Sequence, residues 1–188
     1  LFIKYDFTEF FNQRNHHELR YDSDHISFIF TELSTIFNLS LRDQAQCFTQ
    51  LSIAMRMTRS DQYIDGIPLT FLIILKLVNK ELYYNFISGS DNANTIIKHL
   101  EDKKNSSILF NSNYGYALIA YLLWIENDNK NSTGNLNIYI ENRSNTELSD
   151  EERHKANRVI EIYNSFSNRM YAGLLKILIK KIELLAQF

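Results

Sequence analysis

Apolar residues in this chain return at three- and four-residue steps over most of its length, the signature of helices that bury one stripe each. The clearest case begins at Ser40. Ser40 and Asp43 form a capping box, and Leu41, Ala45, Phe48, Leu51 and Met55 then mark one face of a helix running to about Met57. Upstream, Ile26, Ile29, Phe30, Leu33, Ile36 and Phe37 share a face and predict a helix over Asp24–Phe37, with Ser23 or Asp24 as its cap. It should pack on the Ser40 helix across a joint of a few residues. Residues before Tyr21 hold neither period and read as an irregular or short-helical lead-in.

Gly66-Ile67-Pro68 interrupts the pattern, and proline suits the first turn of the helix that follows, where its missing N–H costs nothing. From Leu69 to Val78 the apolar residues surround the axis, so this helix must be covered on nearly every side and belongs at the centre of the core. A short helix over Leu82–Ile87 stops at Gly89, and an amphipathic one over Asn94–Lys104 carries Ile96, Ile97 and Leu100. Asn113–Ile125 is a second dense core helix, with Trp124 as a packing residue. Residues 126–145 are rich in Asn, Ser and Gly and read as the main loop, in which the alternation of Leu136, Ile138 and Ile140 allows a short strand or hairpin. Ser149 and Glu152 make a second capping box, and from Ala156 helical spacing continues to the end with a break expected at Phe166-Ser167-Asn168.

The expected fold is therefore all-α: a bundle-like domain of about seven to nine helices. Its parts are core helices over residues 1–125, a loop over 126–145 and a C-terminal helical segment over 146–188. A hydrophobic content of 45% in 188 residues supports a real core. The chain starts at Leu1 on an apolar-aromatic segment, which we read as a piece of a longer protein, and it shows no secretory signal pattern. The Leu69–Val78 run falls well short of the roughly twenty residues that span a bilayer and includes Lys76, so no membrane span is expected in it.

Charge and candidate chemistry narrow the picture further. A formal charge of −2 supplies no overall field for nucleic acid. A local basic face exists on the C-terminal segment, through Arg153, His154, Lys155 and Arg158 and then Lys176, Lys180 and Lys181, and its ordinary meaning is solvation. Cys47, the one cysteine, lies close to an apolar stripe and reads as a buried free thiol in a reducing compartment. His16, His17 and His25 lack metal-ligand spacing and are expected to face solvent; no metal is expected in this chain.

Arg42 is the misplaced charge. It falls in the first turn of the Ser40 helix, where the macrodipole disfavours a cation by roughly 0.3–1 kcal/mol. An arginine beside free backbone N–H groups suits an anion such as phosphate. Equally, Arg42 can pair with Asp43 or Glu32, or point into water.

Phe37-Asn38-Leu39-Ser40-Leu41-Arg42-Asp43, then Pro68-Leu69 opening an aliphatic run, then Asn79-Lys80-Glu81-Leu82-Tyr83, resembles the helical segment that follows the nucleotide-binding core in KAP-family P-loop NTPases. The likeness covers about Phe37 to Gly89, with a weaker one over Leu1 to Phe11. It implies a C-terminal lid and coupling module in which Arg42 takes the place of the sensor-2 arginine over the nucleotide's phosphates. It also implies that ATP and magnesium are bound by the NTPase core of a parent protein, that the parent is a cytoplasmic bacterial or prophage protein, and that it is linked to exclusion of phage or plasmid DNA. No G-x-x-x-x-G-K-[ST] loop occurs in these residues, so this chain alone is not expected to hydrolyse ATP. The alternative is a helical protein-interaction or scaffold module, a homo-oligomer or a complex formed through the C-terminal helices. A nucleic-acid binder using the basic tail is the third reading.

Overall fold

The computed structural model describes residues 20–56, 65–130, 134–167 and 174–184. These form ten helices: α1 Arg20–Ile36, α2 Leu41–Arg56, α3 Gly66–Val78, α4 Lys80–Ile87, α5 Ala93–Glu101, α6 Ser107–Phe110, α7 Asn113–Lys130, α8 Gly134–Asn142, α9 Asp150–Ser167 and α10 Leu174–Leu184. Among the described residues no strand occurs, so the all-α expectation holds. None of these helices is long and apolar enough to cross a membrane.

Two helices with little polar surface organise the rest, because each needs neighbours on several sides to keep its apolar residues from water. The α3 helix buries every residue from Gly66 to Leu75 and touches α1, α2, α4, α7 and α10. The α7 helix buries Leu118 through Glu126 and meets α1, α3, α5, α6, α9 and α10. Their contact unites the two sides into one apolar cluster reaching from Ile26 on α1 to Ile182 on α10. Trp124 is inside it, as the packing assignment requires.

Local signals set the boundaries. Asp65 caps α3 by accepting from the Ile67 N–H at 2.9 Å, and Asn79 ends α3 while capping α4 through the Leu82 N–H. Gly89 stops the chain after α4 with φ at 80°, a left-handed conformation that glycine enters without steric cost. Asn92 caps α5. The helix ends at Glu101, so Lys103 and Lys104 lie in the following turn and not in its last turn as expected. Asn105 there takes a positive φ. The α1 helix is already formed at Arg20, placing Ser23 and Asp24 inside it and not at its cap. The α9 helix is described as far as Ser167, and the break expected at Phe166-Ser167-Asn168 runs into residues outside the described ones.

The loop expected over residues 126–145 is corrected. Helix α7 continues through Glu126 to Lys130, and Gly134–Asn142 is helical, with no hairpin. Leu136 is buried and Tyr139, three residues on, is half-buried, while Ile138 and Ile140 are each 43% exposed. That is the i, i+3 partition of a helix face; a strand would have put Leu136, Ile138 and Ile140 on one side. Asn135 adds a tertiary reason, since its amide donates to Glu126 on α7 at 2.8 Å and fixes the start of α8.

Candidate functional site

The α1–α2 joint that presents Arg42 is built from short-range contacts. Asn38 turns the chain with φ at 49°, a conformation asparagine tolerates, and the Leu39 N–H then donates back to the Ser34 carbonyl at 2.9 Å. Gln44 closes the turn by donating its side-chain amide to the Leu39 carbonyl at 3.0 Å. The capping box is present in full: the Asp43 N–H donates to Ser40 Oγ, and the Asp43 carboxylate accepts from both the Ser40 N–H and its hydroxyl. Ser40 is therefore the cap, one residue before α2. Beneath, Cys47, Leu51, Ala54 and Met55 are buried in the common core, which makes α2 a fixed mount.

Arg42 is exposed on this mount. Among the described residues it has no ion pair or hydrogen bond with Asp43 or Glu32, the two partners its sequence offers. Asp43 is engaged with Ser40, and Glu32 is held above the ordinary carboxylate range by burial. Lys80 also stands exposed in a helix's first turn, on α4, so a cation in that position is not unique to Arg42.

The basic face expected on the C-terminal helices is largely consumed within the fold. Arg153 pairs with Asp150, Lys155 with Glu101 at 2.8 Å, and Arg158 with Glu161 at 2.6 Å. Lys155 also lies 5.3 Å over the Phe110 ring, a cation–π contact. Further on, Lys176 and Lys180 are exposed but Lys181 is buried, so the three do not share one face. This argues against a continuous phosphate-tracking surface.

Cys47 is buried, and burial first, with the Asp43 charge second, pushes its thiol up to about 12. It stays protonated at neutral pH and is a poor nucleophile. The His25 ring lies 5.1 Å from that of Tyr114, tilted by 56°. His16 and His17 lie outside the described residues. Among the described residues no group of three or more His, Cys, Asp or Glu side chains is placed to hold a metal ion.

Three acidic positions unremarked in the sequence take part in polar clusters. Asp65 is buried between α1, α3 and α7; it accepts from the Ile67 N–H and from the Tyr121 hydroxyl. Burial raises its carboxyl above the ordinary range against the pull of those two donors and of His25. Its signal was an aspartate just ahead of Gly66-Ile67-Pro68, where an N-cap belongs. Glu126 is buried where α7 crosses α5, accepting from the Ala93 N–H at 3.2 Å and from Asn135. Glu183 on α10 accepts from Lys76 Nζ at 3.0 Å and from the Tyr83 hydroxyl at 3.2 Å. Nothing local in the sequence announces these last two, since their partners come from distant parts of the chain.

No family model, curated protein or solved structure matches the chain.

Proposed function

We propose that this chain is a helical coupling module working on a nucleotide held by a separate P-loop NTPase core of the KAP kind, with Arg42 reaching the phosphates. The observation that carries the reading is Arg42 itself: exposed, at an unfavourable helix start, on a helix locked into the core, and without a partner among the described residues. Such a cation gains most from an anion brought to it. The resemblance of Phe37–Asp43 and Asn79–Tyr83 to the KAP helical segment supplies the identity of that anion. In this reading ATP and magnesium belong to the NTPase core, and the parent is a cytoplasmic bacterial or prophage protein linked to exclusion of phage or plasmid DNA.

The test is made on the longer protein carrying both this chain and a phosphate-loop core. Arg42→Ala should leave the melting curve unchanged and lower ATP turnover by about ten- to a thousandfold, as loss of one charge-stabilising donor does. Lys80→Ala, the other exposed first-turn cation, is the control and should retain turnover. Unchanged turnover in Arg42→Ala, equal loss in Lys80→Ala, or absence of any phosphate-loop core beside this chain overturns the reading.

A second reading, an interaction or scaffold module without nucleotide chemistry, is favoured by Ile138 and Ile140, aliphatic side chains exposed on α8. Ile138→Ser with Ile140→Ser would then abolish self-association or partner binding at unchanged stability. Retained assembly removes that reading.

A further inference from the structure

Helices α9 and α10 are both C-terminal and both pack on α7, but they are held differently. Polar contacts from α9 to other helices run along its length: Lys155 to Glu101, Arg158 to Asn113 and Tyr163 to Asn127. Those of α10 gather in its last turn, where Glu183 takes Lys76 and Tyr83, and where Lys181 is buried and engaged as well. Residues 176–180 make no hydrogen bond or ion pair to another described helix, and Lys176 and Lys180 are exposed. The apolar hold from residues 176–183 is Leu178 and Ile182, one turn apart and buried, with Ile177 and Ile179 half-buried.

Lys76 is the keystone of that last turn. It lies in the last turn of α3, where its charge complements that helix's dipole, and it also reaches the Ile182 carbonyl at 3.4 Å near the end of α10. Its ammonium sits 5.6 Å over the Tyr83 ring, and its side chain is only 13% exposed. One cation thus ties the C-terminal ends of two helices. Losing Glu183 would leave that cation largely desolvated with a neutral phenol and a carbonyl.

We infer that α10 is a strap that opens as a unit of its own, latched by Glu183 onto Lys76 and Tyr83, while α3 and α7 stay folded. Secondary elements held by few buried groups open below the free energy of global unfolding. Because α10 also rests on α2, the helix whose first turn carries Arg42, its opening removes one of that helix's supports. What that loss of support does at Arg42 rests on the nucleotide reading, whereas the opening does not.

Native-state hydrogen exchange on the chain without nucleotide tests this. In the wild type, amides of α10 should exchange through an opening whose denaturant dependence is measurable but smaller than that of α3 and α7, because only the surface buried under α10 is exposed. Glu183→Gln should speed exchange in α10 about tenfold, as a charge-assisted bond becomes a neutral one, and leave α3 and α7 unchanged. The charge swap Lys76→Glu with Glu183→Lys should restore much of the protection that either change alone removes. Exchange of α10 only through global unfolding, or an equal effect of Glu183→Gln on all three helices, would show that α10 is an integral part of the core. That result would leave the Arg42 turnover test untouched.

Discussion

Replacing Gly66 with alanine tests how α1 and α3 meet. A Cβ built on Gly66 would stand 2.2 Å from Ile26 Cγ1 and 2.3 Å from Cδ1, against the 3.5–4.0 Å at which carbon atoms rest. Ile26 is fully buried, so turning its side chain aside displaces other core atoms. Overpacking of this kind costs about 1–3 kcal/mol, offset in part by alanine's helix preference, worth at most about 1 kcal/mol. A net loss of roughly 1–2 kcal/mol is expected for Gly66→Ala, read as a lower urea midpoint through Trp124 fluorescence at unchanged slope. Ile26→Ala alone should cost about 2–5 kcal/mol by leaving a cavity. In the double variant the new methyl enters that cavity, so the two losses should fall short of their sum by at least about 1 kcal/mol. Strict additivity, or a Gly66→Ala protein more stable than wild type, would refute the close approach.

Leu72→Asp should unfold the chain outright, because α3 offers no side on which a carboxylate meets water or a cation at that position; a wild-type melting curve would count against its central place. Asp65 has a folded carboxyl raised by burial, so its contribution to stability is fully present below the unfolded value near 3.9 and is lost as pH rises through the higher folded value. The stability of the wild type relative to Asp65→Asn should therefore decline with rising pH across that window, and a flat or rising difference would contradict the assignment. Ser149→Ala removes an N-cap whose hydroxyl accepts from the Glu152 N–H, and should cost about 0.5–2 kcal/mol in a urea titration. A loss below about 0.2 kcal/mol would show that the box on α9 contributes little.

Both capping boxes were legible because each is complete within four consecutive residues and needs nothing from the rest of the fold. The same holds for the aliphatic density of Leu69–Val78 and Asn113–Ile125, which demands burial wherever the chain goes. Helix α8 was not legible for the opposite reason. Leu136, Ile138 and Ile140 alternate as a strand would, and asparagine, serine and glycine around them weaken any helix preference. What settles the segment is Asn135 finding Glu126 and Leu136 finding the core, contacts that exist only after α7 is in place. At Arg42 the sequence showed the helix start, the misplaced charge and the capping role of Asp43, but not whether Glu32 would take the charge, because that depends on how α1 and α2 meet across their joint.

The buried charges give a reason to weigh Arg42 as a contact residue. Asp65, Glu126 and Lys181 are the buried charged side chains among the described residues. Asp65 sits at the start of α3, Glu126 accepts at the start of α5, and Lys181 stands in the last turn of α10. Each therefore lies where a helix dipole favours its sign, and dipole and partners offset part of the desolvation each one costs. Arg42 reverses this pattern, since its charge opposes the dipole and no described neighbour pairs with it. A cation in that condition adds nothing to the folded state that alanine would not, so Arg42→Ala should keep stability within about 0.5 kcal/mol. Whatever Arg42 contributes must then appear in binding or turnover, and a destabilisation well above that value would instead mark it as a structural residue.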